Sequence, residues 1–340
     1  MKRRMPRLLK RLAAHRVVLK RVLVIAFAVL VLALLAFAVA KVDWLEVIRA
    51  LRELPAAVLF QAAGFAVAAY ALYSAFDLFG RAYTGHSLAW WRSVLVGFIS
   101  YAFTMSIGST LGGVGLRMRL YAKQGLRQSV VFRIWAISVL TNWTGYLLAL
   151  GLALVSGHVA LPQSLSPGQP LLIALGAVCI GLVSMYVVAC SSFQNRSWTI
   201  RGQRIELPAG RLALMQLGAG TVAWMLIAGI PYVLFQGRVP YLDVLGILLI
   251  SAVAGLAARV PGGIGVVEYV FLTMLGPSIA RYEILAVMLM YRLFYYIGPL
   301  LIAGVGYLAV EAGMRTAVPE PSGFSSTKDC GGTAVRNGGM

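Results

Sequence analysis

The stretch that decides the fold runs from Ala258 to Glu268 and reads ARVPGGIGVVE, between two long apolar segments. Pro261 removes a backbone hydrogen-bond donor, and the glycines allow conformations that an unbroken helix does not need. Inside a membrane, non-helical backbone is tolerated only where protein or a water-filled cavity covers it. A charge such as Arg259 or Glu268 costs about 2.5–3.5 kcal/mol at that depth on insertion scales. The stretch therefore predicts a broken membrane helix that carries a polar site.

Another glycine-rich stretch lies 150 positions earlier in the chain, counted from Gly262 back to Gly112. It runs from Leu111 to Arg117 and reads LGGVGLR, with the same G-G-x-G spacing and its own following charge. We interpret the two stretches as two halves of one site.

The composition places the chain in a membrane. It has 340 residues, of which 60% are hydrophobic and 12% are charged, and its mean hydropathy is +0.83. Such a chain has too little polar surface to cover a soluble globule. The net charge of +19 comes from basic residues at the ends of apolar segments. This distribution favours contact with anionic lipid headgroups over nucleic acid.

Several function classes lack their signals. Cys179 and Cys190 share one apolar segment and Cys330 lies near the C-terminus, so no disulfide framework is predicted. The three histidines are scattered and have no second ligand at helical spacing, so no metal site is predicted. Neither glycine-rich stretch has the G-K-[ST] sequence of a phosphate loop. We expect no cofactor.

The order of charged and apolar segments predicts three regions. Residues 1–21 form a basic cytoplasmic lead-in, 22–312 an integral membrane domain and 313–340 a disordered cytoplasmic tail. An interfacial helix is predicted over 41–54. Six full transmembrane crossings are predicted at 22–40, 55–79, 130–156, 171–189, 212–235 and 284–310.

Two further apolar segments are predicted to be re-entrant helical hairpins. If 94–115 crossed the membrane fully, the basic loop that follows it would face outward, against the positive-inside tendency. A hairpin that enters and leaves on the cytoplasmic side removes this conflict, and 241–276 would form the second hairpin from the outside. The predicted fold is thus an all-α polytopic membrane protein with a pseudo-inverted repeat and both termini in the cytoplasm.

The residues in and around the two glycine-rich stretches resemble the membrane domain of lysylphosphatidylglycerol synthases and flippases. The resemblance covers about residues 20–312 and rests on G-x-x-LGG-x-G-x-R-x-R-x-Y from Gly108 to Tyr121, on PGGIGVVE from Pro261 to Glu268, and on Arg292. In full-length synthases the membrane domain translocates the lipid and a soluble domain after it transfers the aminoacyl group. The sequence ends soon after its last crossing, so we expect the synthase domain to be absent. The resemblance implies lipid binding or movement in a bacterial cytoplasmic (inner) membrane.

The candidate substrate-binding residues are basic, acidic and glycine residues at the breaks. A guanidinium holds phosphate oxygens bidentately, and a glutamate pairs with an arginine or holds the amine of an aminoacylated headgroup. The candidates are Arg117, Arg119, Arg259, Glu268, Arg292, Gly112, Gly113, Gly262 and Gly263.

Structural alternatives exist for each group of candidates. In the first alternative, Glu268 and Arg292 pair only to stabilise the helix bundle. In the second, Arg119 and Lys123 anchor the chain at the lipid surface. In the third, the glycines allow close helix packing. Asp77 is interpreted as an interfacial carboxylate near Arg81.

The leading hypothesis is a flippase for a charged lipid, anionic or aminoacylated. An intramembrane lipid-modifying transferase with Glu268 as general base is the alternative, although no second acid or base stands at a suitable spacing. A non-catalytic accessory subunit of a separate lipid synthase is the third. No nucleic-acid partner is expected, and a homodimer is left open.

Overall fold

The computed structural model describes residues 44–108, 113–157, 168–193, 197–200 and 203–315. In chain order the helices are Trp44–Arg52 (α1), Ala56–Thr84 (α2), Trp90–Ile107 (α3), Leu116–Ala122 (α4), Gln128–Val155 (α5), Gln169–Ser192 (α6), Gly210–Leu234 (α7), Tyr241–Ala258 (α8), Val266–Leu275 (α9), Arg281–Arg292 (α10) and Gly298–Arg315 (α11). A π-helical segment, Leu293–Ile297, joins α10 to α11. The predicted lead-in 1–21, the first predicted crossing 22–40 and residues 316–340 lie outside the described residues.

Among the residues that the structure describes, six helical runs are long and apolar enough to cross a membrane: α2, α5, α6, α7, α8 and the continuous run Arg281–Glu311. Five of the predicted crossings are thereby confirmed as helices of spanning length. The sixth candidate, α8, is the segment predicted as the first arm of the second hairpin. A helix, α1, is present where the interfacial helix was predicted, and it buries Val47 and exposes Leu45. Its position at the membrane interface stays a prediction.

Local sequence explains where the longest helix begins and ends. Pro55 stands before α2 in an extended conformation, where its missing N–H costs nothing. Gly85 ends the helix with φ at +64°, and its N–H donates to the carbonyl of Arg81. The 29 residues between these signals are mostly apolar, with Asp77 and Arg81 near the C-terminal end, as expected of a helix that contacts lipid and protein together.

The core of the bundle is formed by α2, α5 and α7, which pack against one another. Glycines allow α5 and α7 to touch through their backbones. A Cβ atom at Gly145 would overlap the carbonyl carbon of Gly220, and one at Gly220 would overlap the carbonyl oxygen of Thr141. Close approach through small residues is typical of helix association in membranes, where apolar burial gives little driving force.

Both glycine-rich stretches interrupt helices, as predicted. Helix α3 spans 18 residues and stops at Gly108, whose φ is +109°; a π-helical turn at 113–115 then leads into α4. Helix α8 also spans 18 residues and stops at Arg259, which has a left-handed φ of +54°. A 3-10 turn, Pro261–Gly263, precedes α9. The re-entrant course of these segments and the inverted repeat stay predictions.

Two local features were not predicted. A short antiparallel hairpin pairs β1, Ser197–Ile200, with β2, Gln203–Glu206, in the loop between α6 and α7. The last crossing changes from α- to π-helix directly after Arg292. The all-α fold class is confirmed apart from this hairpin of four residues per strand.

Candidate functional site

The interruption at Ala258 to Glu268, here called the second break because it comes later in the chain, carries an ion pair between Glu268 and Arg292. Arg292 donates from Nε to Oε1 of Glu268 at 2.7 Å and from Nη2 to Oε2 at 3.2 Å. Glu268 is the third residue of α9, and its Oε2 also accepts the N–H of Gly265 at 2.8 Å, so it caps the start of the helix. The predicted proximity of the two charges is confirmed. The side chains are 21% and 11% exposed, so the pair is only partly closed.

Arg292 also holds the broken backbone in place. Its Nη1 donates to the carbonyl of Gly262, and its Nη2 donates to the carbonyl of Gly263 at 2.9 Å. The guanidinium lies over the ring of Tyr296 at 4.5 Å from the centroid. Gly262 has φ at +63°, and a Cβ atom there would lie 3.1 Å from the carbonyl oxygen of Met105. These contacts explain why glycine suits this position.

The earlier interruption, at Leu111 to Arg117, is called the first break. It carries a different ion pair, between Arg117 on α4 and Asp77 on α2. Nη2 of Arg117 lies 3.0 Å from Oδ1 of Asp77. The carboxylate also accepts the hydroxyls of Ser138 at 2.7 Å and Tyr121 at 2.9 Å. Asp77 is fully buried, and Arg81 donates instead to the carbonyl of Leu88. The expected partnership of Asp77 with Arg81 is therefore corrected to one with Arg117, and the position of Asp77 at the membrane interface stays a prediction.

The other basic candidates lie elsewhere. Arg119 and Lys123 both donate to Oε1 of Glu311 on α11, at 2.9 and 2.5 Å. Arg259 ends α8 with an exposed side chain. Within the described residues, the predicted charges thus divide between separate groups: Arg117 with Asp77, Arg119 with Glu311, and Arg292 with Glu268. Gly112 lies outside the described residues.

The two glycine-rich stretches do approach each other, through the last turn of α3. A Cβ atom at Gly113 would lie 2.8 Å from Oγ1 of Thr104, and Gly262 lies against the carbonyl of the next residue, Met105. Both breaks therefore contact adjacent residues of one helix end, which the equal spacing of the motifs alone did not reveal.

Tyrosines connect the same helix end to the π-helical segment. The hydroxyls of Tyr101 on α3 and Tyr295 in the π-helical segment lie 2.5 Å apart. Tyr70 on α2 donates to the backbone carbonyl of Tyr295 at 2.9 Å, and Tyr73 stacks on Tyr101 at 4.0 Å. π-helical insertions occur frequently at functional sites. The sequence signal for this cluster was the pair of tyrosines that follows Arg292, which we had not singled out.

Two cavities lie away from these residues. One of about 360 Å³ opens between α8, α9 and α10 beside the ion pair of Arg238 and Glu283. A groove of about 340 Å³ lies between α2 and α7 at Gly64. No group of three or more metal-ligating side chains occurs among residues that the structure describes.

The fold and these ion pairs define a multi-pass α-helical membrane protein with two broken helices. The sequence matches the family described as lysylphosphatidylglycerol synthase TM region over residues 21–303, and the chain belongs to this family. It is 38% identical over 294 residues to the inner membrane protein YbhN of Escherichia coli, which covers 86% of this chain and 92% of YbhN. It is 30% identical over 245 residues to the uncharacterized protein slr0712 of Synechocystis, covering 71% and 76% of the two chains.

Proposed function

We propose that this protein binds and translocates a charged phospholipid or lipid-linked substrate, anionic or aminoacylated, and that Glu268 and Arg292 form the centre of its binding site. The supporting observation is the placement of this ion pair. Arg292 joins the carboxylate of Glu268 to two carbonyls of a broken helix, and both side chains remain partly exposed. Charges inside an apolar bundle are costly and mark substrate pathways in membrane proteins.

The chemistry of the pair suits a lipid headgroup. A guanidinium that leaves the backbone carbonyls can hold a phosphate in a bidentate manner, and the carboxylate can hold an amine. Family membership supports the same class, because the matched region is the membrane part of a lipid synthase family. Glu268 accepts from Arg292 and from the Gly265 N–H at once. Both oxygens of this carboxylate are engaged by donors, which leaves them less accessible to a substrate proton and disfavours a transferase mechanism.

The location follows from the relatives. YbhN is named an inner membrane protein, and we propose the same bacterial membrane for this chain, with both termini in the cytoplasm. Single cysteines at Gln124 and Gln203 test the orientation of two basic loops. Both should react with an impermeant maleimide only after the inner face is exposed. Labelling from opposite sides would contradict the proposed orientation. A homodimer stays a prediction.

A dithionite assay in proteoliposomes tests the function. Vesicles contain acyl-labelled NBD-phosphatidylglycerol, and dithionite bleaches only outer-leaflet label, so translocation increases the bleached fraction beyond half. We expect wild-type protein to do this, and Glu268→Gln and Arg292→Met to be inactive. The matched control is Glu283→Gln, which removes the same charge from an exposed ion pair with Arg238 at 2.6 Å. Equal activity in E268Q, R292M and wild type would contradict the proposal.

A further inference from the structure

We infer that Thr104 is a positioning residue that couples the two breaks, so that the Arg117 and Arg292 ion pairs move together. The inference begins with the last turn of α3. Thr104 faces the first break, because its Oγ1 lies 2.8 Å from the Cβ position of Gly113. Met105, the next residue, faces the second break, because its carbonyl lies 3.1 Å from the Cβ position of Gly262. One helix end thus separates the two breaks.

Each contact leads to one of the ion pairs. Gly113 begins the helical run that continues into α4, and Arg117 follows four residues later, about one turn along it. Gly262 accepts a hydrogen bond from Arg292 through its own carbonyl. A shift of Gly113 therefore displaces Arg117, and a shift of the α3 end displaces the backbone that holds Arg292.

The α3 end is itself firmly held, so it transmits displacement rather than absorbing it. Thr104 is β-branched, and its hydroxyl donates to the carbonyl of Ser100 at 2.6 Å. One turn earlier, the Tyr101 hydroxyl meets that of Tyr295, three residues after Arg292. Close-packed elements of this kind have few intermediate positions and tend to shift as units.

The decisive test is a suppressor cycle. In Gly113→Ala the new methyl meets Oγ1 of Thr104. In the double variant with Thr104→Ala, the side chain of residue 104 keeps only its Cβ, which lies 3.8 Å from the new methyl. Thr104→Ser keeps the hydroxyl and should not rescue. Gly64→Ala is the matched control, because a Cβ atom there meets nothing within 4 Å.

The measurement is made in the second break. An effect confined to the surroundings of Gly113 would therefore leave the measured rate unchanged. In protein whose native cysteines are replaced by serine, a cysteine at the exposed Ile264 reports the maleimide labelling rate. We expect G113A to shift this rate, G113A/T104A to restore it, and G113A/T104S to leave it shifted. Translocation should fall about tenfold or more in G113A and recover in the same pattern, since small misplacements in a site are costly.

Unchanged labelling in folded G113A, or rescue by T104S as well as T104A, would overturn the inference. If G113A does not fold, Thr104→Val supplies a milder push, because it places a methyl where the hydroxyl lies. It should shift labelling in the same direction, and wild-type labelling in T104V would also overturn the inference. The coupling rests on the proposed function only for its translocation readout. Labelling that follows the cycle without any lipid movement would retain the coupling and reject the transport role.

Discussion

The ion pairs at the two breaks differ in how completely the protein closes them. Asp77 is fully buried and accepts from three side chains, Arg117, Tyr121 and Ser138. Glu268 is 21% exposed and accepts from Arg292 and from a backbone N–H, while Arg292 gives its other donors to backbone carbonyls.

The charges also stand in opposite order. After the first break comes the arginine, which pairs with a carboxylate on an earlier helix, whereas after the second break comes the carboxylate, which pairs with an arginine on a later helix. A carboxylate whose partners are all side chains in a closed core acts as a structural lock. A pair that is open and bound to movable backbone can exchange its partners for a ligand. The comparison therefore assigns stability mainly to the first pair and binding mainly to the second.

The largest stability effect is expected at Asp77. The variant Asp77→Ala leaves the Arg117 guanidinium buried without a counter-charge, which typically costs about 3–5 kcal/mol. Thermal unfolding in detergent should show a correspondingly large decrease in stability. Replacing both residues, with Asp77→Leu and Arg117→Met, should recover most of the loss, because apolar pairs of similar volume substitute well for buried ion pairs. A D77A protein as stable as wild type would remove the distinction between the two pairs.

A smaller loss is expected at the second pair. Arg292→Met removes the donors to Glu268 and to two glycine carbonyls, at about 1.5–3 kcal/mol for hydrogen bonds to charged groups. Glu268 stays partly exposed and keeps its bond to the Gly265 N–H, so water compensates part of the loss. The same unfolding measurement should rank R292M between wild type and D77A. The reverse ranking would show that the second pair is the lock.

The break itself should tolerate little change. Gly262→Ala forces a left-handed φ on a residue with a side chain, which costs about 1–2 kcal/mol, and brings its methyl against the Met105 carbonyl. Gly64→Ala on α2 meets nothing within 4 Å and should be neutral or stabilising by up to about 1 kcal/mol. Unfolding measurements should show a loss of stability in Gly262→Ala and none in Gly64→Ala, and equal losses would contradict the geometry.

The smallest effect concerns pH near the first pair. Burial, assisted by the charge of Arg81 and opposed by that of Asp77, lowers the pKa of His86 in the loop between α2 and α3. The folded protein therefore disfavours protonated His86, and stability should be lost as pH falls from the ordinary histidine value of about 6.5 through the folded pKa. His86→Gln should flatten this part of the stability profile. An unchanged slope in H86Q would assign the dependence to other groups.

Much of the fold was predictable because apolar length and glycine spacing are local signals. The crossings α5, α6 and α7 agree with their predicted bounds to within three residues at each end. Glu268 and Arg292 could be paired from the sequence because each charge needed a partner and each stands beside or within a long apolar segment. Their additional bonds to Gly262 and Gly263 depend on the backbone path through the break, which no sequence pattern specifies.

Asp77 was misjudged because its nearest charge in the sequence, Arg81, lies one turn away on the same helix. Its real partner, Arg117, lies 40 positions further along the chain and reaches it only when α4 packs beside α2 and α5. The contacts of the two breaks with Thr104 and Met105 could not be predicted from the sequence for the same reason, since they depend on how α3 docks between the breaks. Long-range docking, rather than local propensity, decides these features.

The most direct test of the central claim is translocation in a double variant, Glu268→Leu with Arg292→Met. Removing both charges avoids leaving either one unpaired. The double variant still loses the bonds to the Gly262 and Gly263 carbonyls and to the Gly265 N–H, so it should fold with a moderate loss of thermal stability. In the dithionite assay, wild-type protein should translocate the labelled lipid, and the folded double variant should match protein-free vesicles. Wild-type translocation by the folded double variant would show that the pair only stabilises the bundle, and would contradict the account.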